Sequence, residues 1–130
     1  MASDTVNIVV VSGSRERMQM AAMMASVGAV SGNDVTVFLS MNALGYFIKG
    51  AEENAPTEGP MGDLMVEKNV IGFMTLFEQA VELGDAKIYP CSMAMDVLGV
   101  EASGLVDYLA EPMGLTKFMD MAKEGQTWTF

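Results

Sequence analysis

Short β-branched runs alternate with longer segments of helical spacing along most of this chain. A strand is predicted at residues 5–12, a mostly apolar helix at 15–31 and a second strand at 34–40. A further helix at 70–83 precedes a strand at 86–89. Strands that a helix separates pair in parallel, because the crossover returns the chain to the same end of the sheet. The alternation therefore predicts an open, mostly parallel α/β sheet with helices on both faces.

The remaining segments extend this pattern to five strands and leave one irregular region. We expect a short helix from residue 41 towards 49, followed by a long loop at about 50–69, which is rich in proline and glycine. One or two helical turns at 92–98 end at Gly99. The last predicted elements are a strand at 105–109, an amphipathic helix at 112–123 and a terminal strand at 126–130.

Length and hydropathy bound how the chain is organised. A length of 130 residues indicates a single domain that spans residues 1–130. Apolar residues make up 51% of the chain and charged residues 18%. This apolar excess favours a homo-oligomer, although a sheet buried on both faces also needs many apolar residues.

The net charge of −10 argues against several classes of partner. Nucleic acids and anionic membrane surfaces bind basic patches, so we expect neither as a partner. The most apolar helical segment, residues 18–30, is too short to span a membrane, and the N-terminus lacks the positive region of an export signal. A single unpaired cysteine fits a reducing compartment, so we expect the protein in the cytoplasm.

Thiol chemistry is the main candidate activity, because the chain has one cysteine, Cys91, and no histidine. Without an imidazole, a serine triad has no general base and a zinc site lacks ligands. Several of the 14 methionines are spaced as M-x-M. Residues two apart diverge by about 200° around a helix, so these pairs cannot converge on one copper ion. Sequence motifs for nucleotide phosphates are absent as well, so we expect neither a metal nor a cofactor.

Cys91 is predicted at or next to the N-cap of a helix that follows a strand ending at Pro90. The amides of Ser92 and Met93, together with the helix dipole, would stabilise a thiolate or a persulfide anion there. Ligands of parallel α/β sheets gather at the carboxyl ends of the strands. Two other strand ends supply further candidate substrate- or anion-binding residues, which are Ser12, Gly13, Ser14, Ser40, Met41 and Asn42. The simpler interpretations are a buried structural cysteine and a plain turn at 12–14.

A distinctive run of residues surrounds the thiol: Tyr89-Pro90-Cys91-Ser92-Met93-Ala94-Met95-Asp96, with Leu98-Gly99 behind it. This run, with the order of the elements around it, resembles the DsrE/DsrF/DsrH-like family of small sulfur-trafficking proteins. The resemblance implies a three-layer α/β/α domain of flavodoxin- or Rossmann-like architecture, with a mostly parallel five-stranded sheet. It also implies assembly into homo-oligomers.

For the thiol, the resemblance implies a role in sulfur relay. Cys91 would accept sulfane sulfur as a persulfide or a thiosulfonate adduct, for example from a rhodanese-type donor, and pass it to a partner such as a TusA-like carrier. The chain has no second cysteine that could resolve such an adduct internally.

The main hypothesis is therefore a sulfur carrier or sulfurtransferase in which Cys91 is the catalytic residue. Two alternatives stay open. One is a non-catalytic module that binds a nucleotide- or acyl-type ligand at the strand ends. The other is a structural subunit of an oligomer.

Overall fold

The computed structural model describes residues 4–51 and 54–130, and its elements follow the predicted alternation. The strands are β1 (Thr5–Val10), β2 (Asp34–Leu39), β3 (Lys87–Pro90) and β4 (Gln126–Thr129). The helices are α1 (Arg15–Val30), α2 (Met41–Leu44), α3 (Pro60–Glu67), α4 (Phe73–Gly84), α5 (Ser92–Leu98) and α6 (Leu115–Met121). Two 3₁₀ turns, Gly45–Phe47 and Ala102–Gly104, complete the elements of the described residues. The predicted α/β class is confirmed.

The sheet is parallel and aligns three strand ends in one row. Its strand order is β3–β2–β1–β4, and each neighbouring pair is parallel. Val10 lies opposite Leu39, which in turn lies opposite Pro90. The residues that follow these three positions therefore leave the sheet at one edge, where ligands of such folds bind.

The sheet has four strands in the part of the chain that the structure describes, and not the five predicted. Leu105 forms only an isolated antiparallel bridge with Ile48, so the strand predicted at 105–109 is wrong. The chain instead passes β3 at 110–113, where the Ala110 N–H donates to Ile88 O (2.8 Å) and the Met113 N–H to Pro90 O (3.0 Å). Pro112 has no N–H to donate, so a regular ladder does not form there.

Helices cover both faces of the sheet, which gives the three layers expected. Val35 of β2 faces α1, since its Cγ2 lies 3.3 Å from the position of a Cβ built on Gly28. Phe38 faces the opposite side, because successive strand residues alternate between faces. There its ring stacks on Phe118 of α6, with ring centroids 4.7 Å apart. The helices α1 and α4 lie so close that a Cβ built on Gly84 would be 2.4 Å from the Ala29 Cβ.

The segment predicted as a loop at 50–69 contains a helix, α3, over Pro60–Glu67. Pro60 stands in its first turn, where proline fits because that N–H has no intrahelical acceptor. Gly62 brings α3 close to α1, since a Cβ at this position would lie 2.6 Å from the carboxyl carbon of Glu16. Residues 52 and 53, which belong to the predicted loop, lie outside the described residues.

The remaining boundaries shift by a few residues. Helix α4 begins at Phe73 and not at residue 70, and α6 begins at Leu115 because residues 112–114 lie beside β3. Among the described residues, no helix combines the length and the apolar content needed to cross a membrane.

Candidate functional site

Cys91 lies at the junction between β3 and α5, in the position predicted for it. Its N–H donates to Leu39 O at 2.8 Å, which extends the strand pairing by one residue. Its backbone is extended (φ −69°, ψ 121°), and it is the N-cap of α5. Its carbonyl accepts the Met95 N–H at 3.0 Å and so closes the first helical turn. Gly99 ends the helix with φ at +69°, a left-handed conformation that glycine adopts without strain.

The amides around the thiol are only partly those expected. The Ser92 N–H donates to Met113 O at 3.0 Å, so it cannot serve an anion on the sulfur, which corrects the role predicted for it. The Met93 and Ala94 amides belong to the first turn of α5 and have no intrahelical acceptor. Within the described residues, the Cys91 side chain makes no capping hydrogen bond. The free donors of this turn are therefore those of Met93 and Ala94.

Cys91 is buried, although it lies at the edge of the sheet where ligands bind. Cys91 is 4% exposed, and Met113, which forms an isolated parallel bridge with it, is 3% exposed. The backbone of Met113 bonds on both sides, to Pro90 O through its N–H and to the Ser92 N–H through its carbonyl. The segment 110–114, which we call the covering segment, therefore runs along the edge of β3 and pairs with the chain at Cys91. At 4% exposure, Cys91 offers little surface to a reagent in this structure.

The end of β2 supplies the second group of predicted site residues. Ser40 is buried and its N–H donates to Val10 O at 3.0 Å, so its backbone is part of the sheet. Met41 and Asn42 follow it on the surface. Met41 has φ at +52°, a left-handed conformation that is unusual for a long side chain and that often marks functional sites. Met93 on α5 is also about half exposed.

The turn after β1 binds an anion, but the anion is a carboxylate of the same chain. The Ser14 hydroxyl donates to Glu58 Oε2, and the Arg17 Nε lies 3.0 Å from the same oxygen. The Ser14 N–H is held by Ser12 Oγ at 3.0 Å, and Ser14 makes no side-chain cap to α1. Ser12 and Ser14 are thus engaged within this turn. The substrate-binding role predicted for them is not supported by this geometry.

A second carboxylate fastens the same loop to α1. Glu16 accepts the Glu58 N–H at 2.8 Å and the Gly59 N–H at 2.8 Å. These amides, that of Glu58 first, hold the pKa of Glu16 below its ordinary value of 4.5. The residues before α3 are therefore hydrogen-bonded to the start of α1.

The structure brings two of the three predicted strand ends into direct contact. A Cβ built on Gly13 would lie 3.1 Å from the Asn42 Cβ, so the ends of β1 and β2 touch. Tyr46 adds a bond that the sequence did not indicate, since its hydroxyl donates to Gly13 O at 2.7 Å. The end of β3 joins this row through the Cys91 N–H and Leu39 O. Cys91 therefore lies next to the end of β2, which Ser40 follows. The turn at Gly13 follows β1, the next strand of the sheet.

Sequence reasoning missed Met113 as a neighbour of this edge. Pro112 gave no signal against the helix predicted at 112–123, because proline is favoured in the first turn of a helix. Tyr89 is half-buried, and burial raises its pKa above the ordinary 10.0, with smaller contributions from Glu111 and Asp34. Its phenol therefore stays neutral throughout the physiological range.

Among the side chains that the structure describes, no group of three or more histidine, cysteine or acidic residues is placed to hold an ion. The chemistry that the arrangement offers is that of a thiol with two helix amides beside it.

The fold and the site define a class: a parallel α/β domain with its cysteine at a strand-to-helix junction. A model of the DsrE/DsrF/DrsH-like family matches residues 54–130, more than half of the chain, and the chain belongs to this family. It is similar to the crystal structure of the ychN protein from E. coli (TM-score 0.60, 18% identity, 100% of both chains covered). It is also similar to MTH1491, a protein of unknown function from Methanobacterium thermoautotrophicum (TM-score 0.54, 8% identity, 97% of both chains). At these identities the two structures show the fold alone. No curated protein sequence matches the chain.

Proposed function

We propose that the protein is a sulfur carrier or sulfurtransferase in which Cys91 accepts sulfane sulfur as a persulfide. Membership of the DsrE/DsrF/DrsH-like family supports a role in sulfur relay. The observation that carries the proposal is the place of the single cysteine, at the carboxyl end of β3 and at the N-cap of α5. Strand ends of this kind are where parallel α/β folds bind and transform ligands.

The uptake of sulfur is a simple exchange between two sulfur atoms. The Cys91 thiolate attacks the terminal sulfur of a donor persulfide, a new S–S bond forms, and the donor thiolate leaves with the electron pair of the broken S–S bond. No external oxidant is needed, because the sulfane sulfur is already at the required oxidation level. The Met93 and Ala94 amides can then donate to the negative terminal sulfur of the adduct.

Delivery is the reverse exchange with a second protein. The chain has no other cysteine, so a thiolate of the acceptor must attack the outer sulfur of the Cys91 persulfide. A TusA-like carrier is a fitting acceptor and a rhodanese-type protein a fitting donor, and the cytoplasm is the setting we propose. Burial of Cys91 at 4% exposure limits hydrolysis and makes displacement of the covering segment part of each transfer.

The experiment is to load the protein with a polysulfide donor and to weigh the intact chain by mass spectrometry. The wild type is expected to gain one sulfur atom, which a reducing agent removes. The variant Cys91→Ser should gain none, while Ser92→Ala, a matched change at the next position, should still load. A wild-type mass that stays unchanged with several sulfane donors would refute the proposal.

We further propose that the protein forms a homo-oligomer. Met20, Met23, Val27 and Val30 lie on one exposed face of α1, and they leave an uncharged stripe on a chain with net charge −10. A second copy can approach this stripe without facing like charges. Val27→Lys should lower the mass measured by sedimentation. Val97→Lys, which changes a valine of α5 that is exposed to a similar degree, should not. A wild type that sediments as a monomer would contradict this assembly.

A further inference from the structure

A cavity of about 330 Å³ lies where the start of α1 meets the end of α3 and the start of α4. Its polar lining comes from Arg15, Gln19, Asn54 and Asn69, with Gly72 at one side. No acidic residue is part of this lining among the residues the structure describes. None of the lining comes from β3, α5 or the covering segment, so the cavity is separate from the Cys91 site.

Arg15 is the unusual side chain of this cavity. Its Nε is buried and has no hydrogen-bond partner among the residues that the structure describes. The ion pairs found among residues 4–51 and 54–130 are Arg17–Glu58, Lys49–Asp107 and Lys123–Asp120, so Arg15 takes part in none of them. Buried donors of a charged group almost always have an acceptor, since burial without one is costly. Arg15 is therefore a cavity-lining cation with an unused hydrogen-bond donor, which an added acceptor would satisfy.

A helix N-terminus lies at the same cavity and favours the same kind of ligand. Gly72 is the N-cap of the 12-residue helix α4, and a glycine offers no side chain to its first-turn amides. Such amides and the positive end of the helix dipole bind anions. Gln19 is 7% exposed and donates to Ile71 O at 2.9 Å, so it fixes the residues that lead into α4. The Arg15 side chain and the N-cap of α4 thus line one cavity, and both favour an anion.

We propose that this cavity binds a small oxyanion, with the Arg15 guanidinium as its principal ligand. Carboxylate and phosphate groups both match the planar donor pattern of arginine. The volume lies at the lower end of the range for small-molecule sites, so it fits a small anion better than a nucleotide. The Asn54 and Asn69 amides can add hydrogen bonds to the remaining oxygens.

The test uses the arginine Nε–H signals in ¹⁵N NMR spectra of the full chain. Arg15 and Arg17 are the two arginines of the sequence, so two signals are expected, and Arg17→Gln assigns them. Sodium phosphate and sodium acetate are titrated separately against sodium chloride at matched ionic strength. The Arg15 signal should shift with phosphate, with acetate or with both, and the more effective salt tells the phosphate class from the carboxylate class.

The variants make the proposal falsifiable. Because Arg15→Gln and Arg15→Lys lack the Arg15 signal, the backbone amide signal of Gly72, which also lines the cavity, reports binding in every variant. Its salt-specific shift should be lost in Arg15→Gln and kept in Arg17→Gln, because Arg17 is already paired with Glu58. Arg15→Lys, which keeps the charge, covers the case in which Arg15→Gln does not fold. It should bind about tenfold more weakly, since lysine lacks the planar donor pattern. The proposal is overturned if neither salt moves the Arg15 signal more than chloride does, or if Arg15→Lys binds as tightly as the wild type.

Discussion

Replacing Met113 by alanine should expose the thiol without touching it. Met113 is 3% exposed and belongs to the covering segment, which pairs with the chain at Cys91. Truncating a buried methionine to alanine costs about 2–5 kcal/mol. Suppose that about 2 kcal/mol of this cost destabilises the closed position of the covering segment relative to a locally open one. The open form then becomes about 30-fold more populated, because each 1.4 kcal/mol is a factor of ten. The alkylation rate of Cys91 should rise by a similar factor.

The assay is pseudo-first-order alkylation with iodoacetamide, followed by intact mass. The matched control is Met18→Ala on α1, since Met18 is also fully buried but lies away from the covering segment. It should lower the free energy of unfolding by a comparable amount and leave the alkylation rate nearly unchanged. Equal rates for Met113→Ala and wild type would refute the proposed route to the thiol. Equal acceleration by both variants would show that the sulfur reacts only from the globally unfolded chain.

Two further predictions concern the scaffold. Gly84→Ala should lower the free energy of unfolding by about 1–3 kcal/mol, because its Cβ would lie 2.4 Å from the Ala29 Cβ and 2.6 Å from the Ala29 backbone. Gly45→Ala, in open space with helical dihedrals, should be neutral or raise it by up to about 1 kcal/mol. Urea denaturation compares them, and a tolerated Gly84→Ala would contradict the close α1–α4 packing. Glu16 has a lowered pKa, so its contribution to stability is present above pH 4.5 and lost as the pH falls through the lower folded-state value. In Glu16→Gln, the free energy of unfolding should therefore fall less steeply as the pH drops below 4.5. An unchanged pH dependence would argue against the bonds from the Glu58 and Gly59 amides to Glu16.

The order of the main elements could be predicted because each rests on local pattern. Local residue patterns predicted two strands and one helix that the structure contains. They are the β-branched runs around Val10 and Leu39 and the apolar helical segment from Arg15. The N-cap position of Cys91 followed from Pro90 before it and a helical run after it. Such features depend on neighbours in sequence, so one sequence is enough to find them.

The covering of the thiol could not be predicted, because it depends on pairs far apart in the chain. Met113 meets Cys91 through backbone hydrogen bonds at the edge of β3, and these bonds leave no period in the sequence. The pairing of Ser14 with Glu58 is of the same kind. Helix α3 was missed for another reason, since Gly59 and Gly62 gave its short sequence the composition of a loop.

The central claim is that Cys91 carries sulfur from one protein to another, and a transfer measurement tests it most directly. The protein is loaded with polysulfide, freed from excess donor and mixed with a thiol-bearing acceptor such as a TusA-like carrier. Mass spectrometry of both chains should show one sulfur leaving this protein and one appearing on the acceptor. Sulfur that stays on the loaded chain, or that leaves as free sulfide at the same rate without the acceptor, would contradict the account.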